Sequence, residues 1–146
     1  MKSSVYFYSL GETDDINLCL CQLVQKLYKE NKKIIIIDNN DKLIDIDKLL
    51  WSFQQNSFLP HKIFSKDDDP DSPILLVSYQ NINKVALFES YSEIINNSEM
   101  PLIDYKAFNN IHEFVLNNEE HKKICRTKYS KYMNNKFDVI HRKYYE

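Results

Sequence analysis

Four consecutive isoleucines, Ile34 to Ile37, limit most strongly the folds that this chain can adopt. Polar residues bound the run, and an uninterrupted apolar run of this length is typical of a strand buried on both faces of a parallel sheet. Before it, Val5–Leu10 is aromatic and β-branched, which predicts a strand. Apolar residues spaced three and four apart predict an amphipathic helix over Ile16–Asn31. A strand, a helix and a strand within the first 37 residues predict a βαβ unit with parallel strands.

Gly11 is the single glycine of the chain, and it stands where the first strand should turn into the first helix. A nucleotide-binding turn needs G-x-G-x-x-G or G-x-x-x-x-G-K-[ST] at this point, because glycines let the backbone approach phosphate closely. The sequence here is GETDD, and its carboxylates repel phosphate. We therefore expect a Rossmann-like topology without a nucleotide-binding glycine loop, which counts against a Rossmann-like enzyme.

The remaining elements complete an α/β fold. Similar patterns predict a second helix, five short strands and a final helix, in turn at Lys42–Trp51, Ile63–Ser65, Ile74–Tyr79, Val85–Glu89, Glu93–Ile95, Ile111–Val115 and Asn117–Lys136. A turn at 81–83 makes the strands at 74–79 and 85–89 a predicted hairpin. The expected architecture is a Rossmann-like three-layer fold with a central mixed, largely parallel sheet and a C-terminal helix. One domain should span residues 1–146, with 137–146 as a loosely packed tail.

The composition fits a cytoplasmic globular protein that holds no metal and no cofactor. The chain has 146 residues, 43% of them hydrophobic and 27% charged, and no apolar run approaches the roughly 18 residues of a membrane span. The start, MKSSVYFYSL, lacks the apolar core of a signal peptide. The three cysteines, Cys19, Cys21 and Cys125, include no C-x₂-C pair, which favours buried free thiols. The acidic segment KDDDPDS lacks the calcium-loop pattern and predicts a solvated loop.

Charge is unevenly distributed along the chain. From His121 onward there are eight Lys or Arg against two Asp or Glu, a balance of +6, while the preceding 120 residues carry eleven against nineteen, a balance of −8. A nucleic-acid binder needs a basic surface to neutralise phosphates, which the acidic body does not offer. A short acidic peptide fits both facts better than a duplex does.

The basic C-terminal part begins with the final helix. At about 100° per residue, Lys122, Arg126 and Tyr129 fall within roughly 60° of one another and share one face. A charge run of this kind is commonly a solvated face. The alternative is a docking groove for an acidic peptide, because cations hold carboxylates by charge-assisted hydrogen bonds and a ring covers an apolar side chain. Ile124, Cys125 and Tyr132 are expected to face the core.

A second unusual stretch, Trp51 to His61, carries several aromatic residues and a proline on a predicted loop. So much apolar area in a loop predicts either a lid packed on the core or an interface with a partner. His61 has no matching nucleophile or acid pattern nearby, which favours a hydrogen-bonded loop histidine over a catalyst.

These landmarks together resemble the chi subunit family of bacterial DNA polymerase III, over nearly the whole chain. The matching pieces are VYFYSL, KKIIII, LW followed by SF.PH, and EFV followed by K...R..Y..Y....F, the last set being Lys122, Arg126, Tyr129, Tyr132 and Phe137. The resemblance implies a Rossmann-like fold without nucleotide or catalysis. It also implies an adaptor of the clamp loader that contacts DNA indirectly, with no membrane and no small-molecule substrate.

The resemblance further implies two binding surfaces. The family's last helix binds the acidic C-terminal tail of single-stranded DNA-binding protein, which ends in Pro-Phe, and the matching residues here are Lys122, Arg126 and Tyr129, with Val115 beside them. The second surface holds the psi subunit or a helicase-type partner, and its matching residues are Trp51, Phe58 and Pro60. Direct binding of single-stranded DNA by the basic, tyrosine-rich C-terminus stays an alternative.

Overall fold

One parallel sheet of seven strands organises the parts of the chain that the computed structural model describes, residues 3–53, 59–65, 72–81, 90–103 and 110–144. The elements in chain order are β1 Ser4–Ser9, α1 Ile16–Lys29, β2 Ile34–Asp38, α2 Asn40–Ser52, β3 His61–Ile63, β4 Ile74–Ser78, β5 Glu93–Asn96, β6 Asn110–Val115, α3 Glu119–Asn134 and β7 Asp138–Lys143. The strand order is β3-β4-β2-β5-β6-β1-β7. Every described strand pair is parallel, which confirms the largely parallel α/β sheet.

The isoleucine run lies in the middle of the three layers. All five residues of β2 are buried, because successive side chains of a strand point to opposite faces and both faces here are covered. Ile35 and Ile37 belong to the core cluster on the α3 side, whereas Ile34 and Ile36 belong to the cluster formed with α1 and α2. The three-layer expectation is thereby confirmed.

The predicted βαβ unit forms with its strands parallel but not adjacent. β5 and β6 lie between β1 and β2 in the sheet, so α1 crosses two strands before the chain re-enters the sheet. Asp15 begins the helix, since its side chain accepts hydrogen bonds from the backbone N–H groups of Asn17 and Leu18.

Residues 138–143, which the sequence placed in a tail, form β7 at the edge of the sheet. The backbone N–H of Asp138 donates to Ser3 O at 3.2 Å and that of Tyr144 to Ser9 O at 3.1 Å, so β7 pairs with β1 along its length. Phe137, just before the strand, is buried with its ring 5.2 Å from that of Tyr132. Only two apolar residues in the sequence indicate a strand here. β7 forms by pairing with β1, whose residues are more than 130 positions away.

The final helix is closely confirmed. The Asn118 side chain accepts a hydrogen bond from the backbone N–H of His121 at 2.8 Å, and Glu119 and Glu120 occupy the positive end of the helix dipole. Lys136, two residues past the helix end, adopts φ 64°, a left-handed conformation that stops the helix and directs Phe137 back to the core.

Some predictions fall on residues that the structure does not describe. The second strand of the predicted hairpin (85–89), most of the acidic loop (66–71) and Phe58 all lie outside the described residues. The first strand of that hairpin, β4, has β2 and β3 as its described neighbours, and both pairings are parallel. Within the described ranges, no helix is long and apolar enough to cross a membrane.

Candidate functional site

A surface cavity of about 240 Å³ lies between α3 and the carboxyl ends of three adjacent strands. We call it the α3 cavity; its lining residues are Phe7, Ser9, Val115, Lys122, Cys125, Arg126, Tyr129 and His141. Strand register explains the floor, because Ser9 pairs with Val115 of β6 and Phe7 pairs with His141 of β7. Helical spacing explains the roof, because Lys122, Arg126 and Tyr129 recur every three to four residues. All four residues predicted for tail binding therefore line one cavity.

The α3 cavity is cationic. The described carboxylate within ion-pair distance of Arg126 is that of Glu119, whose Oε2 lies at 3.7 Å, and the two side chains are 68% and 83% exposed. Such an exposed pair is worth well under about 1 kcal/mol and leaves the guanidinium available to another anion. Among the described residues, no carboxylate lies within ion-pair distance of Lys122, and none lines the cavity. An anion placed there meets two cations and no described acidic side chain.

Part of the lining of the α3 cavity is apolar, and ring packing sets its geometry. Tyr129 is 44% exposed, and its ring meets the ring of Phe7 edge-on at 5.9 Å. Phe7 is itself held by the buried ring of Tyr132 at 6.0 Å. These contacts restrict the Tyr129 ring, and together with Val115 they offer apolar surface beside the cations.

A buried ion pair beneath α3 fixes which face of the helix lines the cavity. Lys128 Nζ contacts Glu113 Oε1 at 2.6 Å, and the side chains are only 5% and 1% exposed. Tyr132 and Asn96 both donate to Glu113 Oε2, at 2.7 and 2.8 Å, and Lys128 Nζ also donates to Ser98 O. Burial and the Glu113 carboxylate raise the pKa of the Tyr132 hydroxyl, so it remains a donor.

Sequence reasoning missed this role of Lys128. The signal was present, since Lys128 stands three residues after Cys125 and four before Tyr132, on the buried stripe of the helix. Of the three residues expected to face the core, Cys125 and Tyr132 are buried and Ile124 is half-buried. Sequence reasoning also missed Phe7, Ser9 and His141 as lining residues.

Cys125 lines the α3 cavity without being a nucleophile. Burial raises the pKa of its thiol to about 11, and Sγ donates to the carbonyl oxygen of Phe114 at 3.7 Å. A thiol with this pKa is almost wholly protonated at neutral pH, and the thiolate is the reactive form. The three cysteines are buried and free, as predicted, and the described residues contain no cluster of metal-ligating side chains.

The turn after β1 is filled by the protein's own carboxylates. The backbone N–H of Gly11 donates to Asp14 Oδ2 at 2.6 Å, and a Cβ at Gly11 would come within 3.2 Å of the same oxygen. The N–H groups that open α1 bind Asp15. A phosphate would need those same donors, so this turn does not offer a dinucleotide site.

The predicted second surface lies at the other edge of the sheet, around α2 and β3. Trp51, near the end of α2, is 57% exposed, with its ring 4.6 Å from that of His61. His61 contacts Leu59 O at 2.6 Å and Asp47 Oδ1 at 3.1 Å, so it is a hydrogen-bonded histidine as expected, although it lies in β3. Pro60 is half-buried beside it, and Phe58 lies outside the described residues.

The fold and the α3 cavity define a Rossmann-like α/β protein. It has a small cationic surface cavity, and the turn after β1 is not a glycine-rich nucleotide-binding turn. The sequence model of the family described as DNA polymerase III chi subunit, HolC, matches residues 1–139, and the chain belongs to that family. It is similar to the DNA polymerase III subunit chi of Haemophilus influenzae, with 23% identity over 135 residues that span 88% of this chain and 89% of the relative. This confirms the resemblance found in the sequence and associates the chain with the replication machinery.

Proposed function

We propose that this chain is a non-catalytic adaptor of the DNA polymerase III clamp loader that acts in the cytoplasm. It binds the acidic C-terminal tail of single-stranded DNA-binding protein and links that protein to the clamp loader or to a helicase. The observation that carries the proposal is the convergence of Lys122, Arg126, Tyr129 and Val115 on one cavity whose described lining has no carboxylate.

The chemistry of the α3 cavity matches an acidic peptide that ends in an aromatic residue. Lys122 and Arg126 hold carboxylates by charge-assisted hydrogen bonds. Tyr129 and Val115 supply apolar surface for a terminal Phe ring, which gains from being removed from water. The acidic remainder of the chain, with a balance of −8 before His121, repels the same carboxylates and so favours the α3 cavity over other sites.

A titration with a fluorescent peptide of the type Asp-Asp-Asp-Ile-Pro-Phe tests this proposal. We expect micromolar binding that weakens at least about fivefold between low and high salt, because the attraction is mostly between exposed charges. The same peptide without its final Phe should bind at least about tenfold more weakly. If neither peptide binds at low salt, the proposal is wrong.

Direct binding of single-stranded DNA is the second candidate function, since β7 adds Arg142 and Lys143 to the basic part of the chain. Arg142 already lies 5.4 Å from the Tyr6 ring on the opposite face of the sheet from the α3 cavity. An experiment with single-stranded DNA-binding protein that lacks its acidic tail distinguishes the two functions. DNA binding should survive removal of the acidic tail from single-stranded DNA-binding protein, whereas adaptor binding should be lost.

For the second surface we propose a psi-like clamp-loader subunit or a helicase as the partner, with Trp51, Pro60 and Phe58 as contacts. Large exposed aromatic residues dominate the energy of many interfaces. We expect Trp51→Ala to weaken capture of the purified partner complex by at least about tenfold, with little change in melting temperature because the ring is 57% exposed. Leu18→Ala on α1, which is also an exposed apolar residue, is the matched control and should leave capture unchanged. Full capture by Trp51→Ala would exclude this surface.

A further inference from the structure

On the floor of the α3 cavity, a side chain of β1 and a side chain of β7 are hydrogen-bonded to each other. Ser9 Oγ lies 2.8 Å from His141 Nε2, and both residues line the cavity. His141 is exposed, as is Arg126, while Ser9 and Lys122 are half-buried. The cavity therefore contains an accessible imidazole that faces the same space as the two cations of α3.

We propose that His141 and Ser9 form a proton-dependent contact for the anionic ligand of the α3 cavity, which holds an acidic peptide more tightly when the imidazole is protonated. This inference rests on the proposed function, because it concerns the acidic ligand of the same cavity. It adds two ligand-contacting residues that neither the helical pattern nor the resemblance singled out.

The hydrogen bond between the two side chains gives the mechanism. When Nε2 of the neutral ring carries no hydrogen, the Ser9 hydroxyl donates to it, and the Ser9 hydrogen is then not available to a ligand. A protonated ring carries hydrogens on both nitrogens, so Nε2–H donates and Ser9 Oγ accepts. The Ser9 hydrogen is then free to turn toward a carboxylate in the cavity. Protonation thus adds a positive charge and a hydroxyl donor at one wall.

The charges around His141 favour this reading. Facing it across the cavity are the α3 groups Lys122, Cys125, Arg126 and Tyr129, with Phe7 and Ser9 from β1 and Val115 from β6. On its own strand the charged neighbours are Asp138, Arg142 and Lys143, of which Asp138 and Arg142 alternate to the other face. Two carboxylates of the neighbouring elements are already paired, Glu119 with Arg126 and Glu113 with Lys128. An acidic ligand would bring to this cavity the carboxylates that its described lining lacks.

His121 is near in sequence to the same helix face but is not part of this contact. Its Nδ1 accepts the backbone N–H of Leu116 at 2.9 Å, and burial lowers the pKa of its ring. It faces a separate cleft, with Asp38 and Glu99 among the lining residues. Protonation of His121 would break its hydrogen bond, so it does not supply the expected pH effect.

The test is the affinity of the peptide Asp-Asp-Asp-Ile-Pro-Phe at constant ionic strength from pH 8.0 to pH 5.5. Peptide carboxylates stay ionised over this range, whereas an ordinary imidazole gains its proton within it. We expect the wild-type protein to bind about threefold to tenfold more tightly at pH 5.5 than at pH 8.0. His141→Gln, compared with its own affinity at pH 8.0, should lose most of the increase at pH 5.5. Ser9→Ala should reduce the increase to about half.

The outcomes separate this inference from the proposed function. If wild type and His141→Gln gain equally at low pH, or if wild type binds equally at both pH values, the His141 contact is wrong while tail binding stands. If wild type binds the peptide at neither pH, the proposed function itself fails. We expect the melting temperatures of the two variants to stay within about 2 °C of wild type, because both side chains lie at the surface of the cavity. Such values would exclude a merely structural effect.

Discussion

Arg126→Glu should weaken binding of the acidic tail peptide at least about tenfold, and by up to about a hundredfold at low salt. A hydrogen bond to a charged group contributes about 1.5–3 kcal/mol, and 1.4 kcal/mol corresponds to a factor of ten in affinity. Reversing the charge removes that contact and adds repulsion. Lys122→Ala, which only removes a cation from the same cavity, should cost about threefold to tenfold. Titration of the labelled peptide against each variant measures both effects.

The matched control is Lys123→Glu. Lys123 lies on the same helix and is exposed, but it does not line the α3 cavity. Lys123→Glu changes the net charge by the same amount as Arg126→Glu. Its effect on peptide affinity therefore reports only the long-range electrostatic contribution, which is small beyond the screening length of about 10 Å. Equal losses for the two variants would show that the peptide senses only net charge, and the site assignment would then be wrong.

Lys128→Met should destabilise the protein by about 3–5 kcal/mol. Removing one partner of a buried ion pair leaves the other charge uncompensated in a low-dielectric interior, and this is among the most costly single changes. Here the group left without its cation is Glu113, which is fully buried and would keep, from the described part of the chain, the donors Tyr132 and Asn96. Urea unfolding monitored by circular dichroism gives the midpoint and the slope from which the free energy of unfolding follows.

Two comparisons make that result specific to the ion pair. Lys131→Met on the same helix changes an exposed lysine and should shift the free energy of unfolding by less than about 0.5 kcal/mol. Adding Glu113→Gln to Lys128→Met removes the uncompensated charge and should recover part of the loss, so the double variant costs less than the sum of the singles. A Lys128→Met protein as stable as the Lys131→Met protein would mean that the pair does not hold α3 in place.

Residue type and spacing were sufficient to predict a residue's environment wherever that environment depends on the helix or strand that contains the residue. The spacing of apolar residues predicted α1, and the isoleucine run predicted a strand covered on both faces, because a period of 3.6 or 2 decides which side chains share a face. The same helical period placed Lys122, Arg126 and Tyr129 together. Asn118 as the helix cap also follows from local chemistry, since only its side chain and the next turn are involved.

Local pattern failed wherever a residue's environment depends on a distant strand. β7 carries the weak apolar signal and the exposed charges of an edge strand, and the described strand that it pairs with is β1. The buried role of Lys128 was missed because the sequence does not show that Glu113 lies beneath it. The acidic partner comes from β6, and its burial follows from the sheet on one side and α3 on the other.

The sequence by itself therefore determined the parallel α/β class, the absence of a glycine-rich phosphate turn and the cationic face of the last helix. Each of these follows from residue type and period within one continuous segment. Only the tertiary structure decided that this face covers a cavity, because the floor comes from β1, β6 and β7, which are joined by long-range pairing. The same pairing brought Ser9 within 2.8 Å of His141. Contacts between residues 132 positions apart have no period in the sequence, and only the free energy of folding the whole sheet brings them together.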